Sequence, residues 1–185
     1  MKVKLKNLVK IQFGYYERPS EDGTVPYLQA KNFTDEGVLM NNIELFVKED
    51  EKVIESFLQE GDVLFAGKGS RFFAASYKKE WGDVLASSIF YVLSVFDNQI
   101  LSEYLAVILN LPQNIQYFQQ ASVGSNILSL RKKELEDFEI EVVSLEMQKK
   151  IVEMQSVHMQ ELRLTEQIIE LKKQQYHSAI NKILK

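Results

Sequence analysis

Apolar and polar positions are arranged differently in the two parts of this chain. In the first part, short apolar runs are separated by turn residues, and all three prolines and all eight glycines lie at or before Gly124. Runs of this kind predict short strands and short helices. From Ser144 onward the sequence contains neither Gly nor Pro, which predicts one long helix. The expected fold is therefore α+β, with a mixed domain at residues 1–143 and a long helix at residues 144–185.

Local alternation predicts the strands of the first domain. Val9, Ile11 and Phe13 alternate with polar residues and predict a strand that Gly14 ends. A short helical turn is expected just before it, at residues 3–9. Further strands are expected at residues 26–30, 63–65, 84–96 and 138–143.

Capping residues predict where the helices begin. Ser102 is a candidate N-cap for a helix that Pro112 stops, and a second short helix is expected to run to Gln120. Ser144 is a candidate N-cap for the final helix, and Glu146 lies favourably in its first turn.

The final helix carries two apolar heptad rows. We expect these rows to form one stripe that is too broad for a helix lying on solvent, so a partner helix is required. The first row is Leu162, Ile169, Tyr176 and Ile183, the second is Val157, Leu164 and Leu171, and Ile168 and Ile180 widen the stripe. These nine residues are the predicted dimer interface.

The net charge argues against non-specific binding of polyanions. The chain has a formal charge of −4. Residues 1–143 contain 15 Lys and Arg against 21 Asp and Glu, a net −6, while residues 144–185 contain 7 against 5, a net +2. Phosphate contacts need a basic surface, so binding to DNA would require local clusters of cations. Scattered, solvated charges are the alternative interpretation.

Several features favour a soluble, cytoplasmic protein. The sequence has no cysteine, which excludes disulfides and thiolate metal sites and fits a reducing cytosol. Met1–Lys10 alternates Lys with single apolar residues, unlike a signal peptide. The longest apolar stretch, Ile89–Phe96, is too short to span a bilayer of ~30 Å.

Catalytic chemistry finds little support. Gly61 and Gly67 are separated by five residues, where a phosphate-binding loop needs four, and Gly69 stands where that loop has Ser or Thr. His158 and His177 are nineteen residues apart, far from the spacing of a helical zinc pair. The sequence therefore predicts no enzyme, no metal and no cofactor.

Three loops are candidates for contact with double-stranded DNA. Arg or Lys reads guanine and Asn or Gln reads adenine, while Lys, Ser and backbone N–H groups hold phosphates. The first loop, Gly67–Arg71, supplies Lys68, Ser70 and Arg71, and Lys78 is a further cation in the same stretch of sequence. The second loop supplies Gln29, Lys31 and Asn32, and the third supplies Ser125, Asn126, Arg131 and Lys132. Each loop also has an ordinary structural interpretation, as a glycine-rich hairpin connection, a plain loop, or turn and capping chemistry.

An ordered set of short motifs covers the middle of the chain. The motifs are Gly61–Leu64, Gly69–Ser70, Tyr104–Leu105, Gln116, Gly124–Asn126, Leu130–Leu135, Phe138–Ile140 and Gln148–Val152. None is specific alone, but their order resembles one repeat of the DNA-specificity subunit of Type I restriction-modification systems. The resemblance extends over nearly the whole chain. It departs at Val142–Gln148, where the family usually has a proline-rich segment before the helix, although Gln148 is retained.

This resemblance implies an architecture and a set of partners. A full specificity subunit has two target-recognition domains, each followed by a long spacer helix, and the two helices pair antiparallel. The chain looks like one domain and one helix, a half-sized subunit. The resemblance therefore implies a homodimer that forms an antiparallel coiled coil. It also implies assembly with a methyltransferase (modification) subunit and a restriction subunit. In such an assembly the dimer would recognise the DNA sequence at which the other two subunits act.

Two other functional classes remain open at this point. The chain could be an interaction module, or a silent relative, that binds the methyltransferase subunit but no DNA; the charge of −6 on residues 1–143 favours this reading. A nuclease or modification enzyme would need a metal or cofactor site that the sequence does not display.

Overall fold

The structure, a computed structural model, describes residues 1–40, 43–124 and 127–184. Within these residues the strands are β1 (Lys2–Lys4), β2 (Val9–Phe13), β3 (Val25–Leu28), β4 (Phe46–Val47), β5 (Asp62–Ala66), β6 (Lys68–Gly69), β7 (Ala74–Ser76), β8 (Leu85–Ala86), β9 (Phe90–Val95), β10 (Leu128–Ser129) and β11 (Glu139–Glu141). The helices are α1 (Glu51–Glu55), α2 (Ser102–Leu109), α3 (Pro112–Ala121), α4 (Lys132–Asp137) and α5 (Leu145–Ile183). The predicted α+β class with a long final helix is confirmed.

A four-stranded antiparallel sheet of order β2-β9-β5-β7 lies at the centre of the domain that precedes the long helix α5. All five residues of β5 are buried. On one face Phe65 packs against Phe118 of α3, with ring centroids 4.9 Å apart. On the other face Leu64 belongs to a cluster that includes Phe33 and Phe73. Because both faces are covered, Val63–Ala66 of β5 form a continuous apolar run and do not alternate with polar residues.

A smaller sheet of order β4-β3-β8 positions the second candidate loop. Tyr27 of β3 is buried in a cluster with Val47 and Leu85, while Leu28 faces the cluster of the central sheet. The chain then turns through a 3-10 helix at residues 30–32. The end of β3 and the turn after it are therefore fixed by two apolar clusters.

The first strand of the chain, β1, and the last, β11, pair with each other. Val3 of β1 lies opposite Ile140 of β11, and the buried Tyr104 donates a hydrogen bond of 2.6 Å to the carbonyl of Glu141. The prediction of a helical turn from residue 3 is wrong, because Val3 is held in this strand pair. A 3-10 turn begins only at Leu5.

One of the predicted helix boundaries, the N-cap of α2, needs correction. Leu101 occupies the N-cap position of α2, and Ser102 is its first helical residue. The stop at Pro112 and the second short helix are confirmed, since α2 ends at Leu109 and α3 runs from Pro112 to Ala121. Pro112 is tolerated at the start of α3 because the first helical N–H has no partner within the helix. The N-cap prediction for Ser144 is confirmed, since its hydroxyl accepts a hydrogen bond of 3.3 Å from the N–H of Met147.

Gln148, in the first turn of α5, is fully buried. Its amide nitrogen donates to the carbonyls of Gln99 (2.7 Å) and Val143 (2.8 Å), and its amide oxygen accepts from the N–H of Leu101 (2.9 Å). One side chain thus joins the start of α5 to the segment that precedes α2. The hydrogen-bonding capacity of these main-chain groups is met without water.

The chain forms two compact units, Met1–Gln148 and Lys149–Lys185. The second consists of the rest of α5, a helix of 39 residues in total. Its nine predicted interface residues are between 39% (Ile180) and 79% (Ile183) exposed. Such a run of exposed apolar side chains is unusual on a helix that has no partner.

The two heptad rows lie on different faces of α5. An α-helix turns about 100° per residue, so Leu162 and Leu164 point roughly 160° apart. The sequence interpretation treated the rows as neighbours in one stripe, and in this respect it is wrong. Ile168 lies near the row of Leu164, and Ile180 lies near the row of Leu162. The helix therefore presents two apolar faces, and one partner helix covers only one of them.

Candidate nucleic-acid interface

The structure brings the first and third candidate loops together. The buried strand β5 ends at Ala66, and the short strand β6 that follows Gly67 pairs antiparallel with β10. Lys68 lies opposite Ser129, and the N–H of Leu130 donates a hydrogen bond of 2.9 Å to the carbonyl of Gly67. Lys68 and Ser70 are exposed. The exposed Lys68 hairpin, residues 67–73, therefore lies directly beside the start of the Arg131–Lys132 segment.

Tyr91 and Gly67 explain this arrangement. The ring of Tyr91 lies where a side chain at residue 67 would be, so only glycine fits there. The Tyr91 hydroxyl donates to the carbonyl of Leu130 at 2.7 Å, and burial of this group raises the pKa of Tyr91. One tyrosine thus holds both the hairpin and the residue that precedes Arg131.

Arg71 joins the hairpin to the second loop. Its guanidinium donates to the carbonyls of Ala30 (2.7 Å) and Phe33 (2.5 Å) and pairs with the carboxylate of Asp35. It also lies 5.1 Å from the centre of the Phe73 ring, a cation–π geometry. The Lys68 hairpin therefore lies beside the turn at residues 30–33 and beside the described part of the third loop, residues 128–132. The guanidinium of Arg71 is largely engaged within the protein.

The side chains of the second loop differ in their availability. Gln29 and Asn32 cap the 3-10 turn reciprocally, and the amide oxygen of Asn32 accepts from the N–H of Gln29 at 2.7 Å. Asn32 is only 1% exposed, so its side chain does not reach the surface. Lys31 is exposed and pairs with Glu44 at 2.6 Å, and this hydrogen bond lowers the pKa of the Glu44 carboxyl. Lys31 is thus the accessible cation of this loop.

The third loop is described in part. Gly124 has a φ of +112°, a conformation that other residues rarely adopt, which accounts for glycine at this turn. Ser125 and Asn126 lie outside the described residues. Arg131 occupies the N-cap position of α4 and pairs with Glu134 at 3.4 Å. Lys132 pairs with Glu136, also at 3.4 Å.

Lys78 lies away from this surface. The N–H of Tyr77 donates to the carbonyl of Asp62, at the start of β5, whereas Lys68 follows the end of β5. A strand of five residues spans roughly 16 Å, so the two lysines are at opposite ends of the β5–β7 pair. Lys78 is exposed and lies 3.8 Å from Glu80. Although Lys78 is close to Lys68 in sequence, the two lysines do not form a cluster in the structure.

Most of the cations on this surface are matched by nearby acids. In the part of the chain that the structure describes, Lys31, Arg71, Arg131 and Lys132 each form an ion pair, whereas Lys68 forms none. Ion pairs between exposed side chains are worth little, about 0–1 kcal/mol, so a phosphate can replace the acid at Lys31 or Arg131. Sequence reasoning missed Asp35 and Tyr91, which hold the loops, because no local motif marks residues that act through distant contacts.

Replacing Arg71 by Ala is expected to reduce the free energy of unfolding by about 2–3 kcal/mol, because two partly buried carbonyls lose their charged donor. Urea unfolding followed by circular dichroism measures this change. Lys68→Ala, in the same hairpin but exposed, is the matched control and should change stability by less than about 0.5 kcal/mol. Equal stability of the two variants would show that the contacts of Arg71 are dispensable.

The described residues give no indication of a metal centre or a membrane span. No group of three or more His, Cys, Asp or Glu side chains in residues 1–40, 43–124 and 127–184 is placed to bind an ion. Among the helices of the same residues, none is long and apolar enough to cross a bilayer.

Comparison with known proteins connects this fold to restriction-modification systems. A family model described as the Type I restriction modification DNA specificity domain matches residues 1–173. The chain therefore belongs to the Type I restriction-modification DNA specificity family. Specificity subunits are the non-catalytic members of these systems. Among curated protein sequences, none shows significant similarity to the chain.

Solved structures of specificity subunits share the fold. The S subunit from M. genitalium has a TM-score of 0.62 at 15% identity, over 94% of this chain and 42% of that one. The HsdS subunit from Thermoanaerobacter tengcongensis has a TM-score of 0.58 at 17% identity, over 88% and 38%. A chain from a study of complex assembly and conformational transition of the type I R-M system has a TM-score of 0.61 at 18% identity, over 88% and 39%. This chain therefore spans about two fifths of the length of each.

Proposed function

We propose that this chain is a half-sized specificity subunit that binds double-stranded DNA through the surface around the Lys68 hairpin. The observation that carries the proposal is that the Lys68 hairpin lies beside the turn at residues 30–33 and beside residues 128–132, since all three segments contain residue types that read bases or hold phosphates. Lys68 and Lys31 are exposed there, and Gly69, with open space where a side chain would be, lets the hairpin backbone approach a groove closely. Bound to DNA, the chain would direct a methyltransferase and an endonuclease to their site in the cytoplasm.

We also propose that two copies pair through α5 in an antiparallel coiled coil. The row of Leu162, Ile169, Tyr176 and Ile183 is the proposed seam between the copies, since all four side chains are at least 40% exposed without a partner. The second face, with Val157, Leu164 and Leu171, remains available for a further apolar surface. We propose that the methyltransferase subunit covers it.

Antiparallel pairing of two identical chains predicts the symmetry of the preferred DNA site. Two identical chains present the same reading surface at opposite ends of the paired helices, so the preferred site must be an inverted repeat with a fixed spacer. Selection from a random DNA pool, with the methyltransferase subunit present, tests this expectation. Recovery of one asymmetric half-site would contradict it.

The spacer between the half-sites should follow the length of α5. Deleting Leu164–Glu170 removes about 10 Å of helix, equivalent to about three base pairs of 3.4 Å. The preferred spacer should shorten by that amount, or binding should fail because one half-site is also rotated relative to the other by roughly 100° about the duplex. The same selection measures both outcomes.

The matched control duplicates the same heptad, which keeps the register of both rows and should lengthen the spacer by about three base pairs. A spacer that is indifferent to both changes would show that α5 does not set the distance between the half-sites.

A second function, an interaction module that binds the methyltransferase subunit and no DNA, is favoured by one observation. Residues 1–143 carry a net charge of −6, and acids lie beside most cations of the proposed surface. A gel-shift assay with the methyltransferase subunit separates the two functions. A protein complex that shifts no DNA from the selected pool would favour this second function.

A further inference from the structure

Strands β6 and β10 form a two-stranded ribbon with one inward face and one outward face. In an antiparallel pair, opposite residues share a face, and the face changes at each step along a strand. Gly67 lies opposite Leu130, whose N–H bonds its carbonyl, and both residues are buried. Gly69 and Leu128 form the next pair on this face. The inward face is therefore the one that packs against Tyr91.

The outward face of the ribbon carries the side chains of the intervening residues. Lys68 lies opposite Ser129. Continuing the same register by one step places Ser70 beside Ile127 at the tip of the ribbon. Lys68, Ser70 and Ile127 are all exposed. The alternation of buried and exposed residues along both strands agrees with this assignment of the two faces.

Ile127 is an apolar side chain at the tip of this outward face. It is 70% exposed, so most of its surface makes no contact within the protein. Val123, 53% exposed, lies on the same face nearer the base of the ribbon, because its main chain exchanges two hydrogen bonds (3.1 and 2.9 Å) with Ser129. The outward face therefore combines a cation and hydroxyl groups with two apolar side chains.

The dimensions of the ribbon fit the major groove of DNA. That groove is roughly 12 Å wide and admits a two-stranded ribbon, whereas the minor groove is roughly 6 Å wide. Neighbouring strands lie about 4.8 Å apart before their side chains are counted, so the ribbon is too wide for the minor groove. Lys68 and Ser70 can donate hydrogen bonds to bases or phosphates, but the side chain of Ile127 cannot. The C5-methyl group of thymine is the apolar group that an unmodified base presents in the major groove.

We propose that Ile127 contacts the C5-methyl group of a thymine in the major groove and so selects a T·A pair at one position of the site that each chain reads. The inference rests on the proposed function and deepens it, since it assigns one side chain to one chemical group of one base. Contact between the two apolar groups removes both from water, which favours binding. Cytosine has only a hydrogen atom at the same ring position and gains less from the contact.

Insertion between base pairs is the other role that an exposed apolar side chain such as Ile127 can have on DNA. Wedges of this kind act from the minor groove, which the ribbon does not fit. They separate stacked bases and bend the duplex, and they do not depend on a methyl group. Sensitivity of binding to the methyl group therefore distinguishes the two roles.

Replacement of thymine by deoxyuridine tests the proposal, because it removes the methyl group and keeps every hydrogen-bonding group of the base. The site recovered from the random DNA pool is synthesised with deoxyuridine at each thymine in turn. Binding of the unaltered chain, with the methyltransferase subunit present, is measured by fluorescence anisotropy. At one position, the replacement should weaken binding roughly fourfold, as expected for the loss of one buried methyl group.

Three variants assign this methyl effect to one side chain. Ile127→Ala should bind the thymine and deoxyuridine duplexes equally at that position. Ile127→Val keeps a branched apolar side chain and should retain at least about a twofold ratio. Ile54→Ala makes the same truncation at an exposed residue of α1 and should keep the fourfold ratio. Thermal unfolding of each variant confirms that it is folded.

Other results would overturn the assignment of Ile127. A recovered site without thymine, a fourfold ratio that persists in Ile127→Ala, or a ratio that disappears in Val123→Ala each contradicts it. Equal weakening of both duplexes by Ile127→Ala, with reduced bending of the DNA, would assign the residue to a wedge instead. Tight DNA binding with no sensitivity to any thymine methyl group removes this inference alone, whereas absence of DNA binding removes the proposed function as well.

Discussion

A chain that carries Leu162→Asp and Ile169→Asp together is expected to be a monomer in solution. The two residues lie seven positions apart in one row of α5 and are 40% and 49% exposed in the single chain. Pairing of two copies would bury four uncompensated carboxylates in an apolar seam, at a cost on the order of 3–5 kcal/mol for each buried charge. This cost weakens the dimer by a hundredfold or more. Light scattering over a range of concentrations measures the mass.

The matched control is Gln167→Asp together with Gln174→Asp. It adds the same charge at the same spacing, on exposed positions that face away from Leu162. This variant should keep the mass of the unaltered chain. An unchanged dimer with Leu162→Asp and Ile169→Asp would remove this row from the interface. A monomeric unaltered chain would remove the proposed homodimer altogether.

Gln148→Leu is expected to lower the free energy of unfolding by about 3–5 kcal/mol, because it leaves one N–H and two carbonyls buried without partners. For a chain of this size, such a loss lowers the melting temperature by roughly 10 °C. Differential scanning calorimetry of the full chain measures it.

Gln160→Leu provides the control for this substitution. Gln160 lies on the same helix and is exposed, so the change should leave the melting temperature within about 2 °C. If both variants had the same melting temperature, the three hydrogen bonds of Gln148 would contribute nothing to stability.

Patterns that are local in sequence predicted most of the fold. Alternation located β2, a continuous apolar run located β5, and the absence of Gly and Pro located α5. Val3 was misread because long-range pairing with β11 overrides the local signal. The division of the helix into two faces follows from residue geometry and could have been obtained from the sequence alone.

The candidate interface was less accessible to sequence reasoning. The residue types predicted which loops contain side chains that can read bases. They did not predict which of these side chains are exposed and which are engaged by contacts within the protein. Arg71 and Asn32 have the composition of DNA contacts and are held by Asp35, Ala30 and Gln29. These partners lie within the protein at positions that no motif connects. Assignment of individual DNA-contacting residues stays a prediction.

The pairing of β1 with β11 has a consequence for how such a domain can change over time. The N–H of Val142 bonds the carbonyl of Met1 at 2.8 Å, so the chain enters and leaves the domain at neighbouring points. A segment whose two ends lie side by side can be exchanged by recombination without moving the elements that flank it. New loops can then arrive as a complete set, already fitted to one another, while the flanking helix keeps its own partners.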